Sequence, residues 1–384
     1  MCSSDLAAFA AFLAEVEQGL ADLTSRIFSQ AGGEFNLRSS QQMAEVLFAK
    51  LGLKPRGRTG GGALSTSVEV LEKLAAEHAI VADILEFRKL EKLRSTYLEP
   101  LPRLAGPDGR IHTTFHLTAT ATGRLSSSDP NLQNIPIRGD LGKRMRACFR
   151  APEGRLLVSA DYSQVELRVL AHFSGEPALV TAFTRGEDIH ARTAALLHDK
   201  EPAEVTPDER RGAKTINFGL IYGMGPQKLA QELGIGLKEA KAFIERYFER
   251  LSGLKAFYES VEKHTVETGH VTTLAGRRRL LPDITSRNDN LRAQARRQAV
   301  NTLIQGSAAD IIKLAMLAAH RDPELERLGA VPILQVHDEL LLEAPAETAR
   351  AAGERLAGLM AGVQDLKVPL LAEWGVGSTW ADAH

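Results

Sequence analysis

The 384-residue sequence has two cysteines, Cys2 and Cys148, too few for a zinc site, and no disulfide framework is expected of them. A reducing, cytoplasmic setting is the expectation. Net charge is scarce as well: 47 Lys and Arg against 48 Asp and Glu leave a formal −1, so bulk charge points to no nucleic-acid partner. No apolar run approaches membrane-spanning length, and no signal peptide is evident. The apolar stretch 7–13 lacks a basic leader and reads as part of an amphipathic helix. No membrane association is expected, and no internal repeat or low-complexity tract is apparent. What is present is an ordinary globular composition, 44% hydrophobic and 25% charged. The chain is too long for one ordinary core, so two or three subdomains are expected.

The charge is unevenly placed. Residues 277–297 hold seven arginines against two aspartates, and residues 88–94 hold four cations against one glutamate. Such stripes can neutralise phosphates while the rest of the surface stays acidic. Either stripe alone reads more readily as a solvated helix face.

Two acidic segments end apolar runs. Arg155-Leu-Leu-Val-Ser-Ala160 reads as a buried strand running into Asp161. Residues 331–336 read as a strand running into His337-Asp338-Glu339, with 340–345 as its hairpin partner. A carboxylate at a strand end is rigidly held yet reaches a cleft, and two of them can share a pair of divalent ions, as phosphoryl and nucleotidyl transfer require. An acid at a strand end can equally be a turn residue or a helix cap.

Between them, Arg210, Lys214, Phe218 and Tyr222 recur every four residues, which on a helix makes one slowly spiralling face. Two cations suit a triphosphate, and two aromatics suit a base or sugar. Gly223 and Gly225-Pro226 are expected to stop the helix.

With these residues the chain resembles the polymerase portion of the family A DNA polymerases, the bacterial DNA polymerase I type. Residues 161–168, 210–223 and 337–339 match the family's motifs A, B and C. Supporting matches lie in 118–136, in Asp188-Ile189-His190 and in 301–310, all in the family's order and extending to Trp380. The resemblance implies an α+β, right-hand polymerase fold. Its parts would be a helical thumb (5–104), an antiparallel β-sheet palm (105–175 and 291–384) and helical fingers inserted in the palm (176–290). Within the thumb, helices are expected at 6–30, 40–51, 67–77 and 80–97, with Ser40 and Ser67 as N-caps and a basic, glycine-rich loop at 54–62.

The activity implied is that of a DNA-directed DNA polymerase acting in repair and replication gap filling. Its partners would be primer-template DNA and deoxynucleoside triphosphates, its cofactor two Mg²⁺ ions, its state monomeric and its location cytoplasmic, associated with the nucleoid. By the same resemblance Asp161 and Asp338 are the metal ligands and Glu339 supports them. Arg210, Lys214, His190 and Arg138 contact phosphates. Phe218 packs on the incoming sugar and base, being Phe rather than Tyr as in members that discriminate against dideoxynucleotides. Tyr222 sits at the template base, and Gln164 contacts the nucleotide. Glu166 closes the space at the sugar's 2′ position, the alternative being a buried acid paired with an Arg or Tyr. Arg124, Asn301 and Gln305 read the minor groove, Arg297 contacts the backbone and His337 lies near the primer end.

A catalytically inactive DNA-binding remnant and a single-subunit RNA polymerase relative are the alternatives, against which stand the intact acids and cations and, for the latter, Glu166 with its Thr122-Gly-Arg-Leu-Ser-Ser context. The segment that precedes the thumb in the family, and the exonuclease domains of many relatives, are expected to be absent. Met1-Cys-Ser-Ser-Asp-Leu6 is expected to be a non-native end of a shortened reading frame.

Overall fold

The computed structural model describes residues 2–136 and 139–384. Their contacts form two compact units, one of described residues up to 112 with those of 135–150, the other of 113–134 with 151–384.

The first unit is mainly helical. Asp5 caps Leu6–Ala31 by accepting from the Ala8 amide at 3.0 Å, and Gly32 closes it at φ 65. Phe9, Phe12, Val16, Leu20, Leu23 and Ile27 form its buried stripe and face Ala79–Leu93, which buries Ile80, Val81, Ile84 and Phe87. The expected helices are present with local differences. Ser39, not Ser40, caps the second, through the Gln42 amide. Both 40–51 and 80–97 finish in π-helical turns, Glu45–Lys50 and Arg94–Leu98. The stripe at 88–94 turns inward: Arg88 bonds the Thr66 carbonyl, and Arg94 pairs with Glu91 at 3.0 Å and Glu99 at 2.9 Å. Only its two arginines do so: Lys89 and Lys92 are exposed. A helix the pattern did not announce, Gly139–Ala147, lays Arg144 over the Phe12 ring at 4.2 Å.

The second unit is built on a four-stranded antiparallel sheet. Arg155–Tyr162 is central, paired on one side with Ala372–Gly377 and on the other with Glu339–Pro345, which pairs in turn with Val331–Val336. The sheet is thus discontinuous in sequence, with the helices between Val165 and Thr268 intervening. Prolines stand at the first turns of Pro202–Glu204, Pro207–Ile221 and Pro226–Leu233, where a missing N–H costs nothing.

The long helix Asp289–Arg321 corrects the expectation about apolar length. By length and composition it could cross a membrane, yet 67% of its most apolar stretch is buried within the protein. Ala299, Ile304, Ala308, Ile311 and Ala315 pack it into the same core as Val158, Ala160 and Leu342 of the sheet.

Candidate active site

Strand alternation sorts Arg155–Tyr162 into two faces. Val158, Ala160 and Tyr162 enter the core, where the Tyr162 hydroxyl donates to the Met360 carbonyl at 2.6 Å. Ser159 and Asp161 take the other face. Asp161 pairs in register with Glu339 on one neighbour and Glu373 on the other. The turn His337-Asp338 links the two motif C strands, with His337 at φ 51, and its Asp338 carbonyl accepts from the Tyr162 amide at 3.2 Å. Gln335 donates to the His337 carbonyl at 2.5 Å, and Gln133 braces Gln335 at 2.9 Å. Main-chain pairing therefore brings Asp338 beside the end of the Asp161 strand.

From Asp338 a polar line crosses the site. Arg124 Nη2 is 3.7 Å from Asp338 Oδ1 and 2.5 Å from Glu166 Oε1. Glu166 Oε2 accepts from the Tyr222 hydroxyl at 2.5 Å, and Gln305 bonds that same hydroxyl. Burial raises the pKa of Glu166 above the ordinary carboxylate value, opposed by Arg124 and Tyr222. Burial likewise raises that of Asp338, opposed by Arg124 and His337. Glu166, 4% exposed, thus adopts the alternative geometry, a buried acid paired with both an Arg and a Tyr. Arg124 and Gln305, expected as minor-groove donors, are engaged inside this line.

The Pro207–Ile221 helix opens with a capping box, Thr206 and Glu209 exchanging side-chain bonds with each other's amides. Gly212, Ala213, Ile216, Asn217 and Leu220 are buried, leaving Arg210 and Lys214 exposed and Phe218 half-buried on the opposite face. Tyr222 is the cap residue, 47% exposed. Arg210 bonds Asp188 at 2.7 Å. Asp188 itself caps Ile189–His198 through the amides of His190 and Ala191.

His190, expected as a phosphate contact, is buried against the Pro207–Ile221 helix. It is 2% exposed, sits 5.6 Å from the Phe218 ring and is drawn down to a pKa of about 4 by burial. It therefore offers a phosphate no positive charge near neutrality. Gln164, half-buried, links strand to helix at φ 55. Arg138 lies outside the described residues.

Glu339 is no surface acid. It is 4% exposed, and its Oε1 accepts from Ser159 Oγ at 2.6 Å and Trp380 Nε1 at 2.8 Å. The motifs did not flag Ser159 or Glu373; the two-residue spacing of Ser159 from Asp161 was the available signal, whereas Glu373 needed the register.

In the arginine-rich stripe, Arg277 holds the buried Asp310 at 2.8 Å, Arg279 donates to Thr302 at 2.7 Å and Arg296 pairs with Glu262 at 2.5 Å. Arg278, Arg287 and Arg297 are exposed. The Arg297 stem lies against Gly223, where an added Cβ would come within 2.3 Å of it. Asn301, one turn on, is half-buried, and its Oδ1 has no partner among the described residues. His337 is exposed.

Among the described residues no group of three or more His, Cys, Asp or Glu forms a metal cage. Two hard carboxylates, with a substrate supplying further oxygens, are the donor set that suits Mg²⁺, which keeps waters and uses few protein ligands. Burial raises the Asp338 pKa and Arg124 and His337 oppose the shift, as a bound cation would also do.

The profile of DNA polymerase family A matches residues 7–382. The thermostable DNA polymerase I of Thermus filiformis is 51% identical over 371 residues, covering 96% of this chain and 44% of that protein. DNA polymerase I of Deinococcus radiodurans is 48% identical over 365 residues, covering 94% and 38%. This chain thus spans less than half the length of these relatives. The solved POL domain of Pol1 from M. smegmatis, in complex with DNA primer-template and dNTP, matches with a TM-score of 0.94 at 38% identity, over all of this chain and 68% of that one.

Proposed function

The chain belongs to DNA polymerase family A, and from that premise we propose that it is a template-directed DNA polymerase that extends a primer in repair and gap filling. The single observation that carries this reading is the continuous line from Asp338 through Arg124 and Glu166 to Tyr222, which ties motif C to motif A and to the end of the cationic helix.

The primer 3′-oxygen attacks the α-phosphorus of a deoxynucleoside triphosphate, and the bond to pyrophosphate breaks in line. Asp161 and Asp338 would hold two Mg²⁺ ions, which when bound favour the ionised 3′-hydroxyl and steady charge on the leaving oxygen. Arg210 and Lys214 receive the β- and γ-phosphates, Arg210 exchanging Asp188 for phosphate oxygens. Phe218 packs on the sugar and base, Tyr222 lies at the template base, Glu166 stands at the 2′ position and Gln164 contacts the nucleotide. Arg138 is kept as a phosphate contact by resemblance. Glu339 acts as a buried brace that orients the Asp338 turn. Arg124, Asn301 and Gln305 take the minor groove, Arg297 the backbone and His337 the primer end. Residues 5–104 serve as thumb, 105–175 with 291–384 as palm and 176–290 as fingers. The enzyme works as a cytoplasmic monomer at the nucleoid.

The test is primer extension with dNTPs or rNTPs, with and without Mg²⁺. Magnesium-dependent extension by dNTPs is expected. Extension by rNTPs alone would indicate an RNA polymerase, and duplex binding without extension an inactive remnant.

A further inference from the structure

Behind the open face of the Pro207–Ile221 helix lies a polar group of which the roles above use only His190. His190, Thr193, Asn217 and Tyr247 are each at most 2% exposed, and their hydrogens can be counted. Thr193 Oγ1 donates its one proton to the Ile189 carbonyl at 2.8 Å. Towards Asn217 it must therefore accept, and it does so from Nδ2 at 3.0 Å. The Tyr247 hydroxyl donates to Asn217 Oδ1 at 3.1 Å, which holds the amide the same way round. The second Nδ2 hydrogen goes to His190 Nδ1 at 3.2 Å. That nitrogen must present a lone pair, so the ring proton resides on Nε2, which has no hydrogen-bond partner among the described residues.

We propose that Asn217 is a positioning residue which, oriented by Thr193 and Tyr247, locks His190 as the neutral Nε2–H tautomer and so makes it a fixed N–H donor to the triphosphate of an incoming nucleotide. The role rests on the polymerase reading above. It also resolves how a buried, uncharged imidazole serves a phosphate site: Arg210 and Lys214 supply charge, and His190 supplies a directed donor. The charged groups around the ring are Asp188, which favours the imidazolium, and Arg210 and Lys214, which oppose it. Burial, the largest influence, acts with Arg210 and Lys214 and outweighs Asp188, so donation from Nε2 persists across the neutral and alkaline range.

An aspartate at position 217 inverts the arrangement. Its carboxylate accepts from Nδ1, the neutral ring carries its proton there, and Nε2 turns its lone pair on the phosphates.

The experiment has two readouts. Long-range ¹H–¹⁵N spectra of the full chain labelled in histidine, with His190 identified by its loss in His190→Gln, report the tautomer without any need for activity. Wild type should show a protonated Nε2 and a bare Nδ1, and Asn217→Asp the reverse. Single-nucleotide extension with dATP then separates KM from kcat. Wild-type KM should stay flat between about pH 6 and pH 9. In Asn217→Asp it should rise roughly tenfold as the ring loses its second proton, with kcat and primer-template affinity little changed. Should Asn217→Asp fold poorly, Tyr247→Phe removes one of the two bonds that orient the amide while keeping the packing, and should give mixed tautomers and a raised KM for dATP. A protonated Nδ1 in wild type, or a Tyr247→Phe protein with lowered Tm but unchanged spectra and KM, overturns the proposal. Absence of wild-type extension would sink the polymerase reading instead and leave the spectra intact.

Discussion

Asp338 follows a non-glycine residue, His337, held at φ 51, and three residues after Asp161 the chain passes through Gln164 at φ 55. Left-handed backbone at such residues costs on the order of 1–3 kcal/mol and persists where the surroundings impose it. Both candidate ligands thus lie close to backbone that the surrounding structure holds in a strained form. Asp338→Ala should abolish primer extension while leaving primer-template binding nearly unchanged, as measured by extension and gel-shift on the same preparation. Glu166 fastens Arg124 and Tyr222 together. Glu166→Ala should raise ribonucleotide incorporation relative to deoxyribonucleotide, and unchanged sugar selectivity would reduce Glu166 to a structural acid. His190 carries a pH dependence of stability. Its folded pKa of about 4 lies below the unfolded value near 6.5, so the unfolded chain binds more protons between the two. Stability is complete above about pH 6.5 and falls by on the order of 3 kcal/mol as pH drops towards 4. Urea denaturation of His190→Gln should show a smaller loss across that window.

At the scale of elements, local chemistry was readily legible. Apolar runs marked the strands at 155–160 and 331–336, which the structure forms as Arg155–Tyr162 and Val331–Val336, and four-residue spacing marked the cationic helix. Boundaries were less so, because two serines stand side by side at 39 and 40 and the capping bond to Gln42 chooses between them. The helix Gly139–Ala147 was missed because its sequence is polar and glycine-flanked. It is held by contacts of Arg144 with Phe12 and Glu15, distant in sequence. Gly223 was expected to stop the motif B helix, and at φ 71 just after it Gly223 has that role, but packing adds a second demand. A Cβ there would meet the Arg297 stem. Gly223→Ala should destabilise the protein by about 1–3 kcal/mol in denaturant titration, and Arg297→Ala in the same chain should recover part of it, leaving the cost of the backbone conformation.

Across the whole molecule a net charge of −1 coexists with a proposed polyanionic partner. Binding should therefore be local and salt-sensitive, the affinity for primer-template falling linearly with log salt at about −0.9 per phosphate neutralised. Arg297→Ala should lower that slope by about 1 without altering sequence preference. A slope unchanged by the substitution would remove Arg297 from the interface. The two basic stripes show why charge runs mislead: several of their arginines pair with acids of their own unit, and one-dimensional counting cannot see the partner. What the residues determined by themselves was the chemistry available, two strand-end acids and a helix with cations on one face, since side-chain type and the periods of strand and helix are local properties. What only the tertiary structure decided was which groups are free to use it. Glu166 is tied to Arg124 and Tyr222, His190 is neutral, and Glu339 is a buried brace, because burial and hydrogen-bond partners come from residues tens to hundreds of positions away.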